Sequence, residues 1–112
     1  MEERIPYKPY EVSDQFFTSR AQIYDYTYDI FGYFQAERYL QKIKKSLVTL
    51  PEYYTVYPEC RPLATKSRMY RNIILDAHLI IYRITDKRIE VLDIVHSASS
   101  TGKIRAVRRI HL

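Results

Sequence analysis

Between Asp14 and Leu50 apolar residues recur every three or four positions. Phe17, Ala21, Tyr24, Tyr28 and Phe31 form one set, and Ala36, Leu40, Ile43, Leu47 and Leu50 a second. Steps of this size lay each set along one face of a helix. Ser13 and Asp14 offer a cap before the first helix, Gly32 a break between the two, and Pro51 a stop after the second. So short a connection predicts an antiparallel helical hairpin with both stripes turned to a common core, Tyr24, Tyr28 and Tyr39 included. Gln41, Lys42, Lys44 and Lys45 fill the outer face of the second helix and read as solvated.

From Met69 the period changes. MYRNIIL, HLIIYRI and IEVLDIV are runs of strand length rich in Ile, Val, Leu and Tyr, separated by Asp76-Ala77 and by residues 85–88. They predict an antiparallel meander. In the middle run Ile80, Tyr82 and Ile84 alternate with Leu79 and Ile81, so both faces of that strand are apolar. The hairpin covers one face, and the other requires the C-terminal tail, a partner chain, or both. Ile104, Val107 and Ile110 recur in threes within that tail among Lys103, Arg105, Arg108 and Arg109, which predicts a short basic amphipathic helix. Upstream, Tyr7 to Val12 fits a short edge strand, because Pro9 lacks the donor a central strand needs. Residues 52–68, with Pro58 and Pro62, read as a loop. The expected fold is therefore α+β in the order β-α-α-β-β-β, with the hairpin on one face of a small antiparallel sheet.

A length of 112 residues accommodates one core and predicts a single domain over 1–112. A hydrophobic fraction of 46% with 28% charged residues excludes disorder and collagen-like repeats, and no apolar run reaches membrane-spanning length. The first ten residues carry charges and prolines where a secretory leader would be apolar, and Cys60 is the only cysteine. Both point to the cytoplasm. The net charge of +5 is uneven: residues 1–60 carry seven Lys and Arg against nine Asp and Glu, and residues 61–112 eleven against four. A basic surface from the second half favours an anionic partner, either nucleic acid or an acidic protein segment.

Four strings resemble the RelE/ParE superfamily of toxins from bacterial type II toxin–antitoxin operons: IYDYTYDIFG, AERYLQKIKKSLVTLP, YRNIILDAHLIIYRI and IEVLDIVH. They match that pattern in order and spacing over most of residues 10–96. The resemblance implies a toxin silenced by a cognate antitoxin, acting either on messenger RNA at the ribosome, as in the RelE-like branch, or on DNA gyrase, as in the ParE-like, plasmid-stabilisation branch. Cleaving RNA needs a base, an acid and cations for the phosphate. Of the RelE-like set Arg71 remains, whereas His96-Ser97-Ala98 follows the last strand and Ile104 stands near the expected tyrosine. The closing IVH is the ParE-like form, with SASS in place of the arginines that usually follow. The resemblance thus favours a protein target such as gyrase. The alternatives are a ribosome-dependent endoribonuclease using His96 and Arg71, and a non-toxic relative that binds antitoxin only.

Each candidate has a plainer structural reading. His96, placed by alternation with Leu92 and Ile94, is either a general base or a ring closing the sheet end; the same alternation sets Asp93 on the opposite face and leaves His96 without an acidic partner. Arg71 and Arg83, expected on one face with Ile73, Leu79 and Ile81, form a cationic patch or pair with acidic neighbours. Tyr53, Tyr54 and Tyr57, beside Arg61, Lys66 and Arg68, clasp a partner or pack on the hairpin. Lys103, Arg105, Arg108 and Arg109 form the densest charge, with no acidic residue after Asp93, and suit an antitoxin segment that folds on binding. His78, His96, His111 and Cys60 lack metal-ligand spacing, so no metal or cofactor is implied.

Overall fold

The computed structural model describes residues 5–112. The first four residues, part of the N-terminal stretch read above as lacking an apolar leader, lie outside it. Strand β1 (Tyr10–Val12) leads into helix α1 (Asp14–Phe31), α2 (Tyr33–Val48) and a single turn, α3 (Leu50–Tyr53). Strands β2 (Tyr70–Ile74), β3 (His78–Ile84) and β4 (Ile89–His96) follow, then α4 (Thr101–Ala106) and a 3-10 turn at Val107–Arg109. The sheet runs in the order β1-β4-β3-β2. The meander is antiparallel as expected, but β1 pairs parallel with β4, so the sheet is mixed. Ile89 N–H donates to the Pro9 carbonyl and Ser13 N–H to that of Val91, seating β1 on the free edge of β4.

Local chemistry sets the helix ends. Ser13, itself buried, accepts from Phe16 N–H at 3.0 Å and donates to the Leu92 carbonyl, so the cap of α1 also fixes the helix to β4. Gly32 adopts φ 89°, a backbone region that side chains disfavour, and its N–H closes α1 on the Tyr28 carbonyl at 2.8 Å. One residue thereby connects the two helices.

Two apolar clusters sandwich the sheet. Phe16, Ile43, Leu47, Leu50, Ile80, Tyr82 and Val91 fill the hairpin side. Leu63, Ile81, Leu92, Val95, Ile104 and Val107 fill the other. The tail therefore supplies the second cover, and the sheet needs no partner chain for it. At ~1.5–3 kcal/mol per fully buried aliphatic side chain, Ile81 and Leu92 alone make that cover matter.

The stripe expected to bury α1 is displaced. Phe16 is fully buried and Ile23 packs against the core, whereas Phe17, Tyr28 and Phe31 are 46%, 49% and 65% exposed. Contact with β4 and the cap at Ser13 orient the helix by Phe16, and the regular row beside it turns outward.

A β-bulge in β4 changes which residues share a face. Ile81 pairs with Asp93 and Tyr82 with Val91, leaving Leu92 as the extra residue. Leu92 accordingly packs on the tail side and Ile94 on the hairpin side, so the expected common face of Leu92, Ile94 and His96 does not exist. Arg71 and Arg83 are separated in the same sense. Arg71 pairs with Tyr82 on the hairpin side, and Arg83 with Tyr70 on the tail side.

Candidate functional site

A polar cleft lies at the end of the sheet. His78 opens β3 and His96 closes β4 directly opposite, their rings edge to face with centroids 5.5 Å apart. Gln15, Ser19 and Gln22 of α1, Asp93, and Lys103 of α4 complete the lining of a cavity of about 410 Å³. Asp93 pairs with Ile81 and His96 with His78, so the two keep the opposite faces that alternation gives them and meet only as walls of this cleft.

Each group is held from a different element. Tyr39 Oη of α2 lies 2.7 Å from His78 Nδ1. Burial, then the charge of His96, lowers the His78 pKa, and burial raises that of Tyr39. Both shifts favour the neutral forms, so one hydrogen bond joins a neutral imidazole to a neutral phenol. His96 Nδ1 accepts the Ala98 N–H at 3.0 Å, which assigns the ring hydrogen to Nε2. Asp93 accepts from Ser19 Oγ at 2.6 Å and from Ile94 N–H at 2.8 Å. Burial nevertheless raises the Asp93 pKa against these bonds and against Lys103. Such a cleft can exchange protons and place one cation near an anion. The sequence reading missed His78, Tyr39, Ser19 and Asp93 as members of it. Only the register of the two histidines was within its reach.

Arg71 is elsewhere. Its Nε donates to the Arg68 carbonyl, and Nη1 to the carbonyls of Thr55 and Tyr57, all at 2.9 Å. The side chain staples the segment before β2 to the sheet, four residue pairs along from His78 on the β2–β3 hairpin, and does not meet His96. Residues 52–68 are accordingly more ordered than a loop. They hold a 3-10 turn at Arg61–Leu63 and a bridge from Glu59 to Arg71. Among the three tyrosines, Tyr54 is buried and donates to the Pro6 carbonyl, Tyr57 packs edge to face on Tyr82, and Tyr53 alone is exposed.

The C-terminal cations form the second candidate surface. Lys103, Arg105, Arg108 and Arg109 are exposed, and among the described residues none has a salt-bridge partner. Ser100 caps α4 through Lys103 N–H, and Ile104 and Val107 anchor the turns, so the cations stand on the outer side of a fixed ridge. Arg83 is no part of that open surface. Only 10% of its side chain is exposed, and it pairs with Glu90 at 2.7 Å while donating to the carbonyls of Arg108 and Ile110 at 3.3 and 3.1 Å. Arg88 holds the other carboxylate oxygen of Glu90. Burial pushes Glu90 up, but the hydrogen bonds from Arg83 and Arg88 outweigh it and hold the carboxyl below its ordinary range. Arg83 thus fastens the ridge to the sheet.

Among the described residues no group of three or more His, Cys, Asp or Glu side chains is placed to hold a metal, and no helix is long and apolar enough to cross a membrane. What remains is a small α+β protein with a helical hairpin on one sheet face, a basic tail on the other, and a polar cleft between them. Residues 10–100 match the family described as the ParE toxin of the type II toxin–antitoxin system, parDE, and the chain belongs to that family. A solved structure, the chromosomal ParDE toxin–antitoxin system from P. aeruginosa, has the same fold. The TM-score is 0.67 at 18% identity over 82% of this chain and 98% of that one. No curated protein matches the sequence.

Proposed function

We propose that the protein restrains growth by inhibiting a protein target, DNA gyrase, and that a cognate antitoxin silences it by covering the basic ridge of Lys103, Arg105, Arg108 and Arg109. Family membership supports the toxin role. The choice of target rests on one observation: Arg71, the cation expected beside an RNase base, is spent on three backbone carbonyls away from His96. The ridge offers four unpaired charges on a rigid support, which suits capture of an acidic segment that orders on binding. The direct test is ATP-dependent supercoiling by purified gyrase with added toxin. Inhibition that is relieved by the antitoxin and weakened by Arg108→Glu with Arg109→Glu is the expected result. Full supercoiling at excess toxin would sink the assignment.

The cleft favours a second reading, since His96, His78, Asp93 and Lys103 supply three proton-transfer groups and a cation in one place. On that reading induced toxin cleaves transcripts on ribosomes, and His96→Ala abolishes cleavage without lowering stability. Intact transcripts during growth arrest exclude it.

A further inference from the structure

The row Phe17, Ala21, Tyr24, Tyr28, Phe31 advances by four, three, four and three residues. This is the alternation of a coiled-coil seam, with Phe17, Tyr24 and Phe31 at d and Ala21 and Tyr28 at a. Among the described residues most of it is left open. Phe17, Tyr28 and Phe31 are about half exposed or more, Ala21 is exposed, and Tyr24 is half-buried with its hydroxyl tied to Glu37 of α2 at 2.7 Å. Beside the row lies a groove of about 240 Å³ lined by Phe17, Arg20, Ala21, Tyr24, Asp25 and Leu40. Soluble helices rarely leave a sustained apolar row to water.

We propose that this seam is the contact between two copies of the chain, joined as a parallel, two-fold pair of α1 helices. The flanking charges select the occupant and the direction. On the seam numbering Arg20 stands at g and Asp25 at e, five residues apart. Parallel helices face g of one chain with e of the next heptad on the other, so Arg20 meets Asp25 of the second copy twice across the two-fold axis. An antiparallel pair would set like charges together. Neither side chain has a salt-bridge partner within its own chain among the described residues, and the Arg20 guanidinium lies over Phe17, 5.0 Å from the ring centroid. The seam spans roughly 21 Å at 1.5 Å per residue and the hairpin is about two helices wide. That gives a footprint on the order of 500 Å² per copy, below the ~800 Å² of a standard interface, the size class of a weak, reversible dimer. The sheets then lie on the outside of a four-helix layer, with both basic ridges free.

The experiment is sedimentation velocity on the full chain, made by cell-free synthesis, over about 1 to 200 µM, a range that brackets micromolar dissociation constants. The wild type is expected to pass from monomer to dimer. Tyr28→Asp, an exposed position, stays monomeric with an unchanged circular dichroism spectrum. Arg20→Glu weakens the dimer roughly tenfold by turning two attractions into repulsions, and Arg20→Glu with Asp25→Arg restores it. A wild type that is monomeric throughout overturns the proposal, as does a dimer indifferent to Tyr28→Asp. A double exchange that fails to restore association overturns the parallel arrangement. Protection of the seam from labelling only when a different protein is added assigns it to that protein and also overturns the proposal.

Discussion

Replacing Arg83 by methionine should detach the C-terminal ridge from the sheet. The arginine reaches two carbonyls of the tail, Arg108 and Ile110, and shares the buried Glu90 with Arg88. Each hydrogen bond from a charged donor is worth ~1.5–3 kcal/mol, and breaking a buried pair costs ~3–5 kcal/mol when one charge is left alone. Because Arg88 still holds Glu90, the lower end applies, about 3 kcal/mol, or roughly 10–15 °C in Tm for a chain of this size. Urea unfolding measures the loss, and amide exchange at Ile104 and Val107 reports whether the ridge has come away. Adding Glu90→Leu removes the stranded carboxylate and should recover about 2 kcal/mol. The acid side gives an independent check. Glu90 is held below its ordinary pKa of 4.5, so the stability it contributes is complete above that value and disappears as pH falls through its lower folded value. Arg83→Met should flatten this acid loss. A cost under about 1 kcal/mol, or no recovery in the double variant, would refute the view that Arg83 fastens the tail.

Arg71→Ala should cost about 2–3 kcal/mol by freeing three carbonyls, with growth inhibition falling only as far as the folded fraction does. His78 is held below its ordinary 6.5, so its contribution to stability is present above that pH and is lost as pH falls toward the folded value. Melting between pH 7 and 5 should therefore show a steeper decline in the wild type than in His78→Gln. Reversing Arg108 and Arg109 to Glu should leave Tm within a degree or two, since both side chains are exposed, while antitoxin binding measured by calorimetry weakens at least tenfold. Gly32→Ala is expected to lose about 1 kcal/mol, read from the urea midpoint, because the helix connection requires φ 89°.

The residues announce some of this structure and conceal the rest. The two-sided apolar character of HLIIYRI correctly required cover on both faces, and of the two covers it left open, the tail or a partner chain, the tail provides it through Ile104 and Val107. In α1 the sequence holds two adjacent rows, and periodicity chose the longer and more regular one. The core uses the row through Phe16 because the serine cap and β4 set the rotation of the helix, and neither constraint is local to the stripe. The bulge in β4 left no mark, since IEVLDIVH carries no glycine or proline to betray it. A single unannounced residue therefore turned Leu92 to the tail side, away from Ile94. Arg71 forms neither an open cationic patch nor an acidic pair, because its acceptors are carbonyls three, 14 and 16 positions earlier, which no side-chain pattern displays.

The pairing of β1 with β4 has a kinetic consequence. Tyr10 meets Ile89 and Ser13 donates across to Val91, so the first strand waits for nearly the whole chain before it finds its partner. The tail-side cluster closes later still, when Ile104 and Val107 arrive. Contacts this distant slow folding, because loop entropy is lost before they form. During synthesis, at ~5–20 residues per second, the hairpin emerges well before its sheet is complete. A nascent chain therefore passes several seconds as an unfinished molecule, its ridge not yet mounted and its apolar rows still open to water.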